Sequence, residues 1–231
     1  MIIPTITYLF NTLLKPMSQI SIQVKTFINF TDSYTEVFGL DPREVLCSVM
    51  RVLHDRGLLN VLGGNASIRG SGDYIWITPS KEPKHMLRPD DIVLMYLDGS
   101  WVGKSRPSIE SKMHLSIYRS YDWVRAVVHA HNPITTLVYD LGIDIDLSTY
   151  VESKVSIPCV EVVGRYPPGS EELANAVRDA VSKCPVVVLQ GHGVVSVSND
   201  IFKALNAIEA LEDISEVFLL RKLISSSSLK I

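Results

Sequence analysis

The segment His129-Ala130-His131, with His192 in Gln190-Gly191-His192-Gly193, holds the side chains whose types and spacing point most directly to chemistry. The pair closes an apolar run, Ala126-Val127-Val128, and the third histidine follows Val186-Val187-Val188-Leu189. Short β-branched runs of this kind read as buried strands. Residues two apart on a strand face the same way, about 6.6 Å apart along the backbone. Two such imidazoles can converge on one ion at about 2.0–2.1 Å, and a third from a glycine-flanked turn at a strand end can complete the set. Three neutral imidazoles leave the ion its full double positive charge. Zinc suits the set best, although cobalt, nickel, iron or manganese could replace it. Such an ion can activate water for hydrolysis, or hold a carbonyl and stabilise the enolate formed when a neighbouring proton leaves.

Either use needs a base, and Glu110 is the candidate. The sequence places it in the first turn of a helix capped by Ser108, where the helix dipole alone favours acidic residues. His114 lies one turn further on and reads as a packing or surface histidine that could reach the same face. Three turns of small residues, Gly63-Gly64-Asn65-Ala66-Ser67, Thr78-Pro79-Ser80-Lys81 and Pro107-Ser108, offer hydroxyl and backbone donors that can cradle an anion, or simply turn the chain.

The positioning elements read as alternating strands and helices, an α/β class. Asp41-Pro42-Arg43-Glu44 opens a helix with an N-cap, a first-position proline and a capping-box glutamate, and Gly57 ends it. Strands are expected over 66–69, 74–78 and 92–97, the last closed by Asp98-Gly99. Helices are expected from Ser108, from Asn132-Pro133 to Gly142, from Ser170, and from Asp200. Strands are expected over 186–189 and 193–197. No dinucleotide fingerprint, Walker loop or internal repeat appears. Residues 1–40 read as an N-terminal extension, either a docked arm or an over-long start with Met17 as initiator. Residues 41–231 read as one domain.

The bulk numbers bound the partners. At 231 residues, 46% hydrophobic and 20% charged, the chain is an ordinary globule, and its formal net charge of −3 gives no general attraction to nucleic acid or anionic membrane. The amino terminus lacks both the basic start of a signal peptide and the ~20 apolar residues of a membrane helix. The three cysteines, Cys47, Cys159 and Cys184, lack metal-type spacing and read as reduced, core-packing thiols of a cytoplasmic protein.

Taken in order, Gly64-Asn65-Ala66-Ser67-Ile68-Arg69, Ile77-Thr78-Pro79-Ser80, Pro107-Ser108-Ile109-Glu110 with His114 and Tyr118, Val127-Val128-His129-Ala130-His131 and Gln190-Gly191-His192-Gly193 resemble the class II aldolase/adducin-like family of sugar-phosphate aldolases and epimerases. The resemblance covers about residues 41–222. It implies a three-layer α/β/α fold with a mixed, largely antiparallel central sheet, and a homotetramer with active sites shared between subunits. It implies that His129, His131 and His192 hold the divalent ion, usually zinc, and that Glu110 is the acid/base. Asn65, Ser80 and Ser108 match phosphate-binding positions, which Lys81 adjoins. Tyr150 matches a catalytic tyrosine contributed by a neighbouring subunit, or else packs as a strand tyrosine at an interface.

The glutamate, where the epimerases carry aspartate, favours an aldolase. The implied reaction is cleavage of a phosphorylated ketose, such as fuculose 1-phosphate, to dihydroxyacetone phosphate and an aldehyde through a metal-stabilised enediolate. An epimerase, dehydratase or decarboxylase could use the same core; a zinc hydrolase is the alternative from another class. Three features depart from the family pattern. Lys81 replaces a glycine and Ile109 a serine, and the tail after Ile224 lacks a closing aromatic residue.

Overall fold

The computed structural model describes residues 39–226. The extension read over residues 1–40 lies outside them, apart from Gly39 and Leu40. Helix α1 (Pro42–Asp55) starts as the sequence predicts, with the Asp41 carboxylate accepting the Arg43 backbone N–H at 2.9 Å. Among the described residues eight strands follow: β1 (Asn65–Arg69), β2 (Tyr74–Ile77), β3 (Val93–Tyr96), β4 (Trp101–Val102), β5 (Ala126–Ala130), β6 (Glu161–Val163), β7 (Val186–Leu189) and β8 (Gly193–Ser198). They form one sheet in the order β4-β3-β2-β1-β5-β8-β7-β6. Only the β6–β7 pairing is parallel. The sheet is therefore mixed and mostly antiparallel, as expected.

Helices cover both faces: α2 (Ser111–Ser120), α3 (Pro133–Asp140), α4 (Val151–Ser156), α5 (Glu171–Val181) and α6 (Ile201–Ser226). Strand alternation sorts the core into two layers. Ala126, Val128 and Ala130 of β5 join Val186 and Val188 of β7 in a core with α1, α3 and α6. Val127, Val187, Leu189 and Val195 point the other way, into a core with α2 and α5. The three-layer α/β/α arrangement follows from these short all-apolar runs, which serve both faces at once. His129 shares the parity of Val127 and so faces the α2 side.

Four local readings need correction. Helix α2 begins at Ser111, with Glu110 at its N-cap position and not in its first turn. The Ser108 N–H is taken by Thr78 O at 3.1 Å, which keeps this stretch extended along the sheet edge. Tyr150 is not on a strand; it caps the short helix α4, which the sequence reading lacked along with β4 and β6. Cys159 and Cys184 are joined in a disulfide, and only Cys47 is a free buried thiol. The pairing needs the parallel β6–β7 contact, which places the entries of the two strands side by side. Among the described residues no helix is long and apolar enough to cross a membrane.

Candidate active site

Sheet register assembles the site. His129 lies opposite Asn65 across the β1–β5 pair and opposite Val195 across the β5–β8 pair. His192 sits at the tip of the β7–β8 hairpin, whose register pairs Leu189 with Gly193. Gly193 is required by close approach: a Cβ there would lie 2.1 Å from Ala130 O, so a larger residue would push His192 away from β5. The hairpin is also tied from outside. Asp140, at the end of α3, accepts the Gly191 N–H at 2.8 Å and pairs with Arg165 at 2.9 Å. On the other side of β5, Gly64 turns the chain into β1 at φ +67°, and a Cβ would meet His129 O at 2.8 Å.

One ring nitrogen from each of His129, His131 and His192 lies within 4.8 Å of the others. The Nε2 atoms of His129 and His192 are 3.3 Å apart. Two nitrogens on one tetrahedral ion are separated by about 3.3 Å when each bond is about 2.05 Å. His129 Nδ1 lies 3.0 Å from Val194 O. That carbonyl only accepts, so Nδ1 carries a hydrogen and Nε2 is the atom turned toward the cluster. Burial, reinforced by the neighbouring His129 and His192, pushes His131 down to about 4, and burial then His129 push His192 down as well. Both are thus neutral donors at pH 7.

Glu110 closes the cluster. Its Oε2 is 3.3 Å from His129 Nε2 and accepts Asn65 Nδ2 at 2.8 Å, while Oε1 is 3.7 Å from His192 Nε2. Burial raises this carboxyl, but His129, His192 and the Asn65 hydrogen bond together outweigh it and hold it below its ordinary value. Oε1 is buried and has no hydrogen-bond partner. An unpartnered carboxylate oxygen beside the ring nitrogens of three histidines is a donor set that fits a divalent cation. The arrangement is consistent with a divalent metal site.

A pocket of about 290 Å³ opens over this cluster, with His131, His192 and Glu110 on its floor. Asn65, Ser80, Lys81 and Ser108 also line it, so all four residues expected at an anion subsite come together. Lys81 adopts φ +62°, the left-handed conformation that the replaced glycine would take without penalty. Tyr150 is not among the pocket's lining residues; it packs at the edge of the α1–α3–α6 core.

Sequence reasoning missed Lys84. Lys84 lines the same pocket although it is only 2% exposed, and its ammonium donates to Pro79 O. Burial lowers it to about 8, with Glu82 opposing. The signal that could have found it is a lysine three residues after Lys81 in a turn already read as anion-binding. His114, expected at the surface or in packing, is completely buried with Nε2 2.5 Å from Asn65 Oδ1.

Residues 44–219 match the family described as Class II Aldolase and Adducin N-terminal domain. The chain belongs to that family. It is 35% identical over 178 residues to an L-fuculose phosphate aldolase of Methanocaldococcus jannaschii, covering 76% of this chain and 94% of that protein. A 3-oxo-tetronate 4-phosphate decarboxylase of Haemophilus influenzae is 24% identical over 184 residues, with 78% and 87% covered. A solved L-fuculose 1-phosphate aldolase superposes with a TM-score of 0.74 at 26% identity, over 83% of this chain and 90% of that one. This is a class II aldolase family enzyme, and the histidine cluster lies within the matched residues.

Proposed function

We propose that the enzyme is a metal-dependent aldolase that cleaves a phosphorylated ketose to dihydroxyacetone phosphate and an aldehyde. The observation that carries this reading is the convergence of three histidines and an unpartnered Glu110 oxygen in a pocket that Asn65, Ser80, Lys81 and Ser108 also line. His129, His131 and His192 would hold the ion, for which zinc is the best match to an all-imidazole set. When bound, the ion supplies Lewis acidity, polarising the ketose oxygens and balancing the negative charge that carbon–carbon cleavage leaves behind.

The residues of this chain do the rest. Ser80, Lys81, Lys84 and Ser108 bind the phosphate and fix the ketose over the histidines. Glu110 holds or releases a proton at Oε1, because Oε2 is occupied by Asn65. Tyr150 serves the aldehyde oxygen in a neighbouring subunit's site. Its distance from its own pocket and the exposed Val151 and Val155 beside it support a subunit contact there, within a homotetramer. Residues 41–231 form the catalytic domain in this reading. A cytoplasmic location belongs to the same proposal, since phosphorylated sugars are made and kept inside cells.

The decarboxylase relative favours one second reading, loss of carbon dioxide from a phosphorylated keto acid at the same centre. A panel of ketose 1- and 5-phosphates and keto-acid phosphates, scored by product identity, separates the two. Dihydroxyacetone phosphate with an aldehyde supports the aldolase. Carbon dioxide supports the decarboxylase and would overturn our first choice. Glu110→Gln should retain the metal and lose about 10²–10⁴-fold in turnover; unchanged turnover would remove Glu110 from its role.

A further inference from the structure

Behind Glu110 a buried line of polar side chains crosses from β1 to α2. Glu110 Oε2 accepts Asn65 Nδ2 at 2.8 Å, and Asn65 Oδ1 meets His114 Nε2 at 2.5 Å. His114 Nδ1 meets Ser67 Oγ at 2.6 Å. Ser67 Oγ meets the Tyr118 hydroxyl at 2.9 Å, and that hydroxyl also donates to Ser67 O at 3.0 Å. Asn65, Ser67, Glu110, His114 and Tyr118 are all buried.

Asn65 turns its NH₂ toward Glu110 Oε2 and its oxygen toward His114 Nε2. That oxygen only accepts, so His114 Nε2 must carry a hydrogen. Burial, opposed by the Glu110 carboxylate, pushes the ring down to about 3, so it is neutral; with Nε2 protonated toward Asn65 Oδ1, Nδ1 is bare. Ser67 therefore donates to Nδ1, and the single Tyr118 hydrogen is shared between Ser67 Oγ and Ser67 O. From Ser67 through His114 and Asn65, each donor points toward Glu110.

We infer that His114 is a positioning residue: as the neutral Nε2–H tautomer it fixes the Asn65 amide and so dictates which Glu110 oxygen faces the substrate. A flipped Asn65 would set its oxygen 2.8 Å from the carboxylate and its NH₂ 2.5 Å from the His114 N–H, two repulsive contacts. With the amide fixed, Oε2 is held and Oε1 is left to carry the proton. The second amide hydrogen of Asn65 remains for the substrate's anionic group, so one side chain ties the phosphate rim to the acid/base. The catalytic consequence rests on the proposed role of Glu110; the tautomer does not.

Nitrogen-15 NMR of the histidine-labelled holoenzyme, with His114 assigned by its absence from H114Q, should show a neutral ring protonated at Nε2 at pH 7. An Nδ1–H or doubly protonated ring would overturn the inference. In kinetics H114Q, whose amide can still donate to Asn65, should stay within about fivefold of wild-type kcat. H114L should lose about 10²-fold in kcat with KM and metal content little changed, the scale expected for misplacing a reacting group by about 1 Å. Equal losses in both variants, or none in H114L, would overturn the positioning role. If H114L fails to fold, S67A serves, because loss of the donor to Nδ1 should shift the tautomer signal; an unchanged spectrum would count against the chain. The NMR readout needs no turnover. An enzyme inert toward every ketose phosphate would therefore defeat the aldolase reading and leave the His114 assignment to its spectrum.

Discussion

Lys84 offers the sharpest quantitative test of how the pocket is built. Its ammonium sits beneath the anion rim with a backbone carbonyl for company, and burial lowers it from 10.5 to about 8. Below pH 8 the lysine is charged in both folded and unfolded chains, and the folded state bears the full cost of burying that charge. Between about pH 8 and 10.5 the folded chain releases the proton first, the unfolded state binds more protons, and stability rises with pH. The gap between the two values corresponds to about 3 kcal/mol. Lys84→Met keeps the side-chain length and removes the titration. Wild type should therefore gain about 3 kcal/mol on the variant as pH rises from 7 to above 10. For a domain of this size that is a relative shift of about 6–12 °C in Tm. The assay is denaturant unfolding of both proteins at several pH values in chelator, so that pH-dependent metal binding does not contribute. Inorganic phosphate at pH 7 should protect wild type more than the variant, because an anion offsets the buried charge. A stability difference that stays constant with pH would refute the placement of Lys84 as a buried ammonium.

Two further outcomes concern the scaffold. The Cys159–Cys184 disulfide closes a 25-residue separation, for which loop entropy gives about 3.5 kcal/mol; Cys159→Ser, or reduction verified by mass, should lower denaturant stability by that order, and no change would mean the bond contributes nothing. Glu212 of α6 accepts Ile134 N at 2.9 Å, Thr135 N at 3.0 Å and Thr135 Oγ1 at 2.8 Å, so it caps the helix that begins two residues after His131. Glu212→Ala leaves the Ile134 and Thr135 N–H groups unpaired and should cost about 3 kcal/mol while weakening metal affinity; a loss under about 1 kcal/mol, or unaltered metal binding, would contradict that role.

Much of the site was legible because its residues obey local rules. His129 on β5 and His131 just past its end were marked by their two-residue spacing after an apolar run, and Gly191 and Gly193 marked the hairpin that carries His192. Strands β5, β7 and β8 were equally plain, since runs such as Val186–Leu189 are apolar on both faces. Residues fixed by distant partners were hidden. His114 is buried because Asn65 and Ser67, 49 and 47 positions away, offer it hydrogen bonds. Lys84 lies in a three-residue helical turn, Lys84–Met86, that has no periodicity to read. The disulfide depended on the pairing of β6 with β7, and β6 is too short to announce itself. Ser108 looks like a helix cap in sequence, but its backbone is engaged by Thr78 across the sheet edge.

The central claim is that His129, His131 and His192 hold one ion on which carbon–carbon cleavage depends. The direct measurement is release of dihydroxyacetone phosphate from L-fuculose 1-phosphate by enzyme stripped with chelator and then titrated with zinc. The account predicts no release from the stripped enzyme and recovery that saturates at one ion per chain. Undiminished release from metal-free enzyme would contradict it.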